Sequence, residues 1–175
     1  MKRFYLIRHC KAAGQAPDAE LTAEGREQAD ALSAFFNDIE ISHIISSPFT
    51  RAIQSIEPLS ASRGLAIQID DRLAERVLST EDLPDWLEKL EQSFNDFDLK
   101  FEGGESAGEA AERGAEVLTE APDNAVLITH GNMMGLLLKK FEEAYGFEEW
   151  KALSNPDVYV LTIEGEKASV KRMWT

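Results

Sequence analysis

Phe4-Tyr5-Leu6-Ile7-Arg8-His9 and Val126-Leu127-Ile128-Thr129-His130-Gly131 share one design, an apolar run that ends on a histidine. Read as two strands, they deliver both histidines to the carboxyl edge of an open α/β sheet. That edge is where such sheets bind ligands, so the two imidazoles are expected to converge on one crevice.

Working outward, the chain alternates between strand-like and helix-like patterns. Arg3 to Ile7 is the first strand, followed by a polar loop rich in Ala and Gly from Cys10 to Glu20. Thr22 can cap a helix from Ala23 to about Asn37, with Ala29, Leu32, Phe35 and Phe36 at helical spacing. Ile41 to Ile45 reads as the second strand. Ser47-Pro48 is expected to start a helix, with Pro48 in its first turn, running to about Ser62 before Gly64 stops it. Ala66 to Ile69 is a short third strand.

The stretch from Asp70 to Glu105 is less regular. One helix is expected near Asp85 to Phe94, and the segment is predicted to be a lid-like insertion. A helix from Ser106 to about Glu120 sets glutamates at 109, 112, 116 and 120 against Ala107, Ala111, Ala115 and Leu118, so the acidic row reads as a solvated face. Then come a strand from Ala125 to Ile128, a helix from about Asn132 to Ala144, and two closing strands, Val158 to Ile163 and Ala168 to Met173. The expectation is a three-layer α/β/α architecture with a mostly parallel sheet and an antiparallel final pair. At 175 residues, one domain is favoured over two small ones.

Composition narrows the partners. With 18 Lys plus Arg against 32 Asp plus Glu the net charge is −14, a surface that repels nucleic acid and anionic lipid headgroups. No apolar run approaches a membrane span, and the four apolar residues after Lys2-Arg3 are too few for a signal peptide, so a cytoplasmic protein is expected. A single cysteine, Cys10, allows no internal disulfide and no cysteine-based zinc site.

The residue types near the crevice suggest its chemistry. Arg8 and Arg51 present planar forks of donors suited to paired phosphate oxygens. Arg51 also lies near a strand-to-helix junction, where helix N–H groups favour an anion. The implied ligand is a phosphoryl group, hence a small phosphorylated substrate. An imidazole beside two cations is disfavoured from protonating, which leaves a neutral ring nitrogen able to attack phosphorus.

Five motifs in order then resemble the histidine phosphatase superfamily, whose members include phosphatases and phosphoglycerate mutases. These are Arg8-His9-Cys10, Leu21 to Ala29 (Leu-Thr-Ala-Glu-Gly-Arg-Glu-Gln-Ala), Ser46 to Ala52 (Ser-Ser-Pro-Phe-Thr-Arg-Ala), Gly103 to Ser106 (Gly-Gly-Glu-Ser) and Thr129-His130-Gly131. The resemblance implies the phosphoglycerate mutase-like fold and a phosphohistidine formed on His9, without a metal or other cofactor. It also implies that Arg8, Arg51 and His130 hold the phosphoryl oxygens. Leu73-Ala74-Glu75-Arg76 resembles the segment that carries the family's proton donor, which makes Glu75 the candidate acid and base. Gln15 stands near where an Asn of the family often contacts phosphate.

The chain departs from the pattern at Cys10, where Gly is usual, and at Lys11-Ala12. The Cys10 side chain would either narrow the pocket or point away from it. Other residues have plainer readings: an ion pair with Arg72 or Arg76 for Glu75, helix capping for Glu105 and Ser106, a structural role for His43, and packing for Trp86, Trp150 and Trp174. The short lid favours hydrolysis of a phosphomonoester over mutase transfer. A protein phosphohistidine phosphatase and a phosphate-binding module without turnover are the remaining alternatives.

Overall fold

β1 (Lys2–Arg8) and β4 (Ala125–Thr129) lie side by side and parallel, with Arg8 opposite Thr129. The computed structural model describes residues 1–175 and builds outward from this pair. On one flank β2 (His43–Ser46) pairs in parallel with β4, and β3 (Ile67–Ile69) with β2. On the other, β5 (Asp157–Glu164) runs antiparallel to β1, and β6 (Lys167–Arg172) antiparallel to β5. The order β3-β2-β4-β1-β5-β6 gives four parallel strands with an antiparallel pair at one edge.

The central strands are apolar through Phe4–Ile7 and Ala125–Ile128 because both faces are covered there. Phe4, Leu6, Ala125 and Leu127 point into one buried cluster, and Tyr5, Ile7, Val126 and Ile128 into the other. The first cluster is closed by α3 (Trp86–Asn95), α4 (Ala107–Glu120) and α5 (Gly131–Phe141). The second is closed by α1 (Ala23–Phe35) and α2 (Thr50–Arg63). Thr22 caps α1 by accepting from the Gly25 N–H at 2.9 Å. Gly25 is needed there for room, since a Cβ would sit 2.1 Å from the Lys11 carbonyl oxygen. The acidic row of α4 is exposed as expected.

Some local expectations are corrected. α2 begins at Thr50 with Phe49 as its N-cap, so Pro48 precedes the helix instead of occupying its first turn. α5 stops at Phe141, short of Ala144, and a five-residue helix α6 (Phe147–Lys151) follows that the sequence pattern did not disclose. Segment 70–105 begins with a 3-10 turn (Asp71–Leu73) and is tied back on itself. Thr80 N–H donates to the Glu102 carbonyl at 2.9 Å and Glu105 N–H to that of Val77 at 2.8 Å. No helix is long and apolar enough to cross a membrane.

Candidate active site

Strand register brings the two histidines together. Arg8 and Thr129 are paired on adjacent parallel strands, so the next residue of each, His9 and His130, emerges at the same edge, and their ring centroids lie 5.1 Å apart. β2 brings Ser47 to the same edge from the other side, level with Thr129 because Ser46 pairs with Ile128, and its side chain reaches His130. Arg51, from the first turn of α2, is buried against both: its Nε lies 3.3 Å from His9 Nε2, and its guanidinium 5.0 Å from the Phe49 ring centroid.

Hydrogen-bond partners fix the imidazole tautomers. His9 Nδ1 lies 2.7 Å from the Cys10 carbonyl, an acceptor only, so Nδ1 carries the proton and Nε2 keeps its lone pair. Burial first, then the charges of Arg51 and Arg8, lower the His9 pKa to about 4, although the bond to Cys10 opposes them. At neutral pH Nε2 is therefore unprotonated and the ring uncharged. The backbone around it is clamped from three elements: His9 N–H donates to the Thr129 carbonyl (3.2 Å), Asn155 Nδ2 to the His9 carbonyl (3.0 Å) and Cys10 N–H to Ser55 Oγ (2.8 Å).

Ser47 Oγ accepts the Phe49 N–H at 3.2 Å and lies 2.7 Å from His130 Nε2. The arrangement that uses both the Ser47 hydroxyl proton and the Nε2 lone pair has the hydroxyl donating to Nε2, which leaves the His130 proton on Nδ1. That Nδ1 is buried and unpaired, as is Arg8 Nε. Burial, His9 and the nearby arginines push the His130 pKa down to about 2, so it is a neutral donor. Arg8 reaches the Leu153 carbonyl through Nη1 at 3.1 Å, and Gly131 makes space for its guanidinium, because a Cβ there would lie 3.0 Å from it. Two orphaned donors and an arginine resting on an unprotonated ring nitrogen are arranged as an oxyanion receptor would be, and a carboxyl lies beside them.

Glu75 is that carboxyl, and it forms no ion pair with Arg72 or Arg76. Its Oε1 accepts from the N–H groups of Met133 (2.8 Å) and Arg76 (2.9 Å), and its Oε2 from Asn132 N–H (3.0 Å). The helix N-terminus that holds a carboxylate is thus that of α5. At α2 the Thr50 and Ala52 N–H groups are taken by the Pro17 and Phe49 carbonyls, which removes two first-turn donors from the anion site expected beside Arg51. Burial raises the Glu75 pKa against those three donors and Arg8. Arg72 instead engages Asp70, Glu116 and Glu120, and Arg76 turns inward to Ser93 Oγ and the Glu105 carbonyl.

Other expected residues settle as follows. Cys10 is fully buried in the cluster under α1 and α2, so its thiol points away from the crevice, and burial lifts its pKa to about 11. The Gln15 carbonyl, with that of Ala16, accepts from Arg51 Nη1 (3.2 and 2.8 Å), while the residue borders the cleft. Ser106 caps α4 in a reciprocal box with Glu109, and Glu105 pairs with Arg113 at 2.9 Å. Arg113 also donates to the Arg72, Ala74 and Glu75 carbonyls, a role the sequence did not signal. Trp174 packs on Phe35, as expected. Trp150 packs on the Phe147 and Phe94 rings, also as expected, and together with Trp86, Arg8 and Glu75 it lines a cleft of about 450 Å³.

A family model described as the histidine phosphatase superfamily (branch 1) matches residues 4–175. The chain belongs to this superfamily. Among curated relatives, the Probable phosphoglycerate mutase GpmB of Salmonella choleraesuis (strain SC-B67) is 29% identical over 160 residues, covering 79% of this chain and 74% of the relative. Superfamily architecture is also seen in a mycobacterial glucosyl-3-phosphoglycerate phosphatase solved with inorganic phosphate (TM-score 0.75, 24% identity, 99% and 96% of the two chains covered). It recurs in a phosphoserine phosphatase mutant from Entamoeba histolytica in complex with phosphoserine (TM-score 0.79, 17% identity, 97% and 95% covered). At these identities the two structures establish the shared fold.

Proposed function

We propose that the protein is a phosphomonoester hydrolase that acts on a small phosphorylated metabolite through a phosphohistidine at His9. The observation that carries this reading is the tautomer of His9, whose Nε2 keeps a lone pair that accepts only a long contact from Arg51, in a site that also holds the unpaired donors Arg8 Nε and His130 Nδ1. Nε2 attacks phosphorus, the ester P–O bond breaks, and protonated Glu75 gives its proton to the departing alkoxide. Arg8, Arg51 and His130 hold the phosphoryl oxygens as their charge grows. Arg51 must leave Nε2 to do so, a small swing given its long 3.3 Å contact. Water then attacks the phosphohistidine, Glu75 takes its proton, the P–N bond breaks and phosphate departs. In the proposed cycle the positive charge comes from the two arginines.

The names of the two structural neighbours, both phosphatases of small metabolites, support hydrolysis. The name of the curated relative makes phosphoryl transfer the second reading. The cleft holds no cation besides Arg8 to retain a second anionic group, which favours water as acceptor. In this reading segment 70–105 is a lid-like insertion within one domain, and a cytoplasmic setting fits the lone free thiol. The test is rapid mixing with a radiolabelled phosphomonoester and a denaturing alkaline quench. Label is expected on the protein and absent in His9→Ala; labelling that survives this substitution refutes the proposal.

A further inference from the structure

Beyond the groups assigned to phosphate and proton transfer, the cleft wall has a chemistry of its own. Trp86, Trp150, Leu78 and Leu90 supply apolar surface, and Asn132 an amide. Trp86 is 51% exposed at the start of α3, and its neighbour Leu87 is 42% exposed, so apolar surface remains uncovered beside the cleft. Trp150 is backed by the Phe147 ring, with centroids 5.5 Å apart, and is held in place. Asn132 is only 7% exposed, yet its Oδ1 has no hydrogen-bond partner. A lone-pair acceptor is of no use to a phosphate dianion, which offers no donor, so this oxygen is suited to a hydroxyl or N–H on the rest of the substrate.

Charge narrows the occupant. Residues 77–95 of the lid carry five carboxylates, Glu81, Asp82, Asp85, Glu88 and Glu91, against Lys89, which is paired with Asp85 at 3.0 Å. Arg8 is the one cation lining the cleft, and the phosphoryl group needs it. An anionic leaving group would be repelled on approach by these exposed carboxylates and desolvated in the cleft with no cation left to pair it.

We infer that the leaving-group side of the cleft selects phosphate esters of an uncharged alcohol with a flat ring, stacked on the indoles of Trp86 and Trp150, with a donor for Asn132 Oδ1. This rests on the phosphate pocket proposed above and goes beyond it, because that pocket by itself is indifferent to the alcohol. It also implies that esters bearing a carboxylate or a second phosphate are poor substrates.

The test uses non-hydrolysable phosphonates and calorimetric binding, so it is independent of turnover. Benzylphosphonate is expected to bind at least about tenfold more tightly than methylphosphonate, and 4-carboxybenzylphosphonate to lose that gain. The benzyl-to-methyl ratio should collapse towards one in Trp86→Ala and be largely restored in Trp86→Phe. A hydroxyl in 2-hydroxybenzylphosphonate should add affinity that Asn132→Leu removes. Equal binding of the benzyl and methyl ligands, tighter binding of the carboxylate, or an unchanged ratio in Trp86→Ala overturns the inference, and a silent hydroxyl removes Asn132 from it. Failure of the phosphate pocket itself would be distinct: methylphosphonate and inorganic phosphate would not bind, and His9 would trap no phosphoryl group.

Discussion

Glu75→Gln separates proton donation from everything else the site does. In the folded protein the carboxylate accepts three N–H groups, two on Oε1 and one on Oε2. The amide oxygen can keep the pair on Oε1, but the amide nitrogen then faces the Asn132 N–H, donor against donor. That costs about 1–3 kcal/mol of fold stability and acts on all substrates alike. The chemical loss is selective. Removing a general acid slows an alkoxide's departure by about 10²–10⁴, or about 3–5 kcal/mol of barrier. 4-Nitrophenolate leaves without a proton, so its release is expected to slow by less than about tenfold. In the proposed cycle both substrates share the water step, with Glu75 as base, and steady-state rates alone therefore mislead. The assay is pre-steady-state. With 4-nitrophenyl phosphate the variant should keep a rapid nitrophenolate burst, followed by slowed turnover and accumulation of phosphoenzyme. With benzyl phosphate the burst should be absent and phosphoenzyme should form slowly. If the nitrophenolate burst slows as much as phosphoryl transfer from benzyl phosphate, Glu75 is not the acid.

Acid should weaken the fold through His9. The His9 pKa lies below its usual 6.5, at about 4, so over that window the unfolded chain binds a proton that the native state refuses. Stability present above pH 6.5 is thus lost as pH falls, by about 2 kcal/mol from His9 between pH 6.5 and 5. Denaturant titrations across this range should show a shallower slope in His9→Asn; an unchanged slope removes His9 as the cause. Arg113→Ala deletes the bonds to three carbonyls around Glu75 and the pairing with Glu105. It should lower kcat on alkyl esters far more than the 4-nitrophenyl burst and cost about 2 kcal/mol of stability, with no rescue by Lys, which lacks the fork. A proportional fall on both substrates would make Arg113 merely structural. Gly131→Ala places a Cβ against the Arg8 guanidinium. Calorimetry should show inorganic phosphate binding weakened by about tenfold with the melting temperature nearly unchanged, and full-strength binding would show that Arg8 can move aside.

The sequence by itself determined the scaffold and the charged centre. Apolar runs such as Phe4–Ile7 and Val126–Ile128 are strands because both sheet faces are buried, and that periodicity is a local property of the chain. Once two such strands are neighbours in parallel register, the following residues must meet, so the His9 and His130 pair, with Arg8 and Arg51, was legible from motif order and strand position. Whether Cys10 intrudes on the crevice depended on which way one side chain turns, and only the packed cluster beneath α1 and α2 shows its thiol directed away. Tertiary structure alone decided the protonation pattern of the imidazoles, because the partners that fix it, the Cys10 carbonyl and Ser47 Oγ, are set by backbone geometry. The carboxylate on the α5 N-terminus, the fork of Arg113 beneath Glu75 and the Trp86 and Trp150 walls all join segments distant in sequence. Periodicity carries no record of such contacts, since each is formed by chain closure and not by spacing.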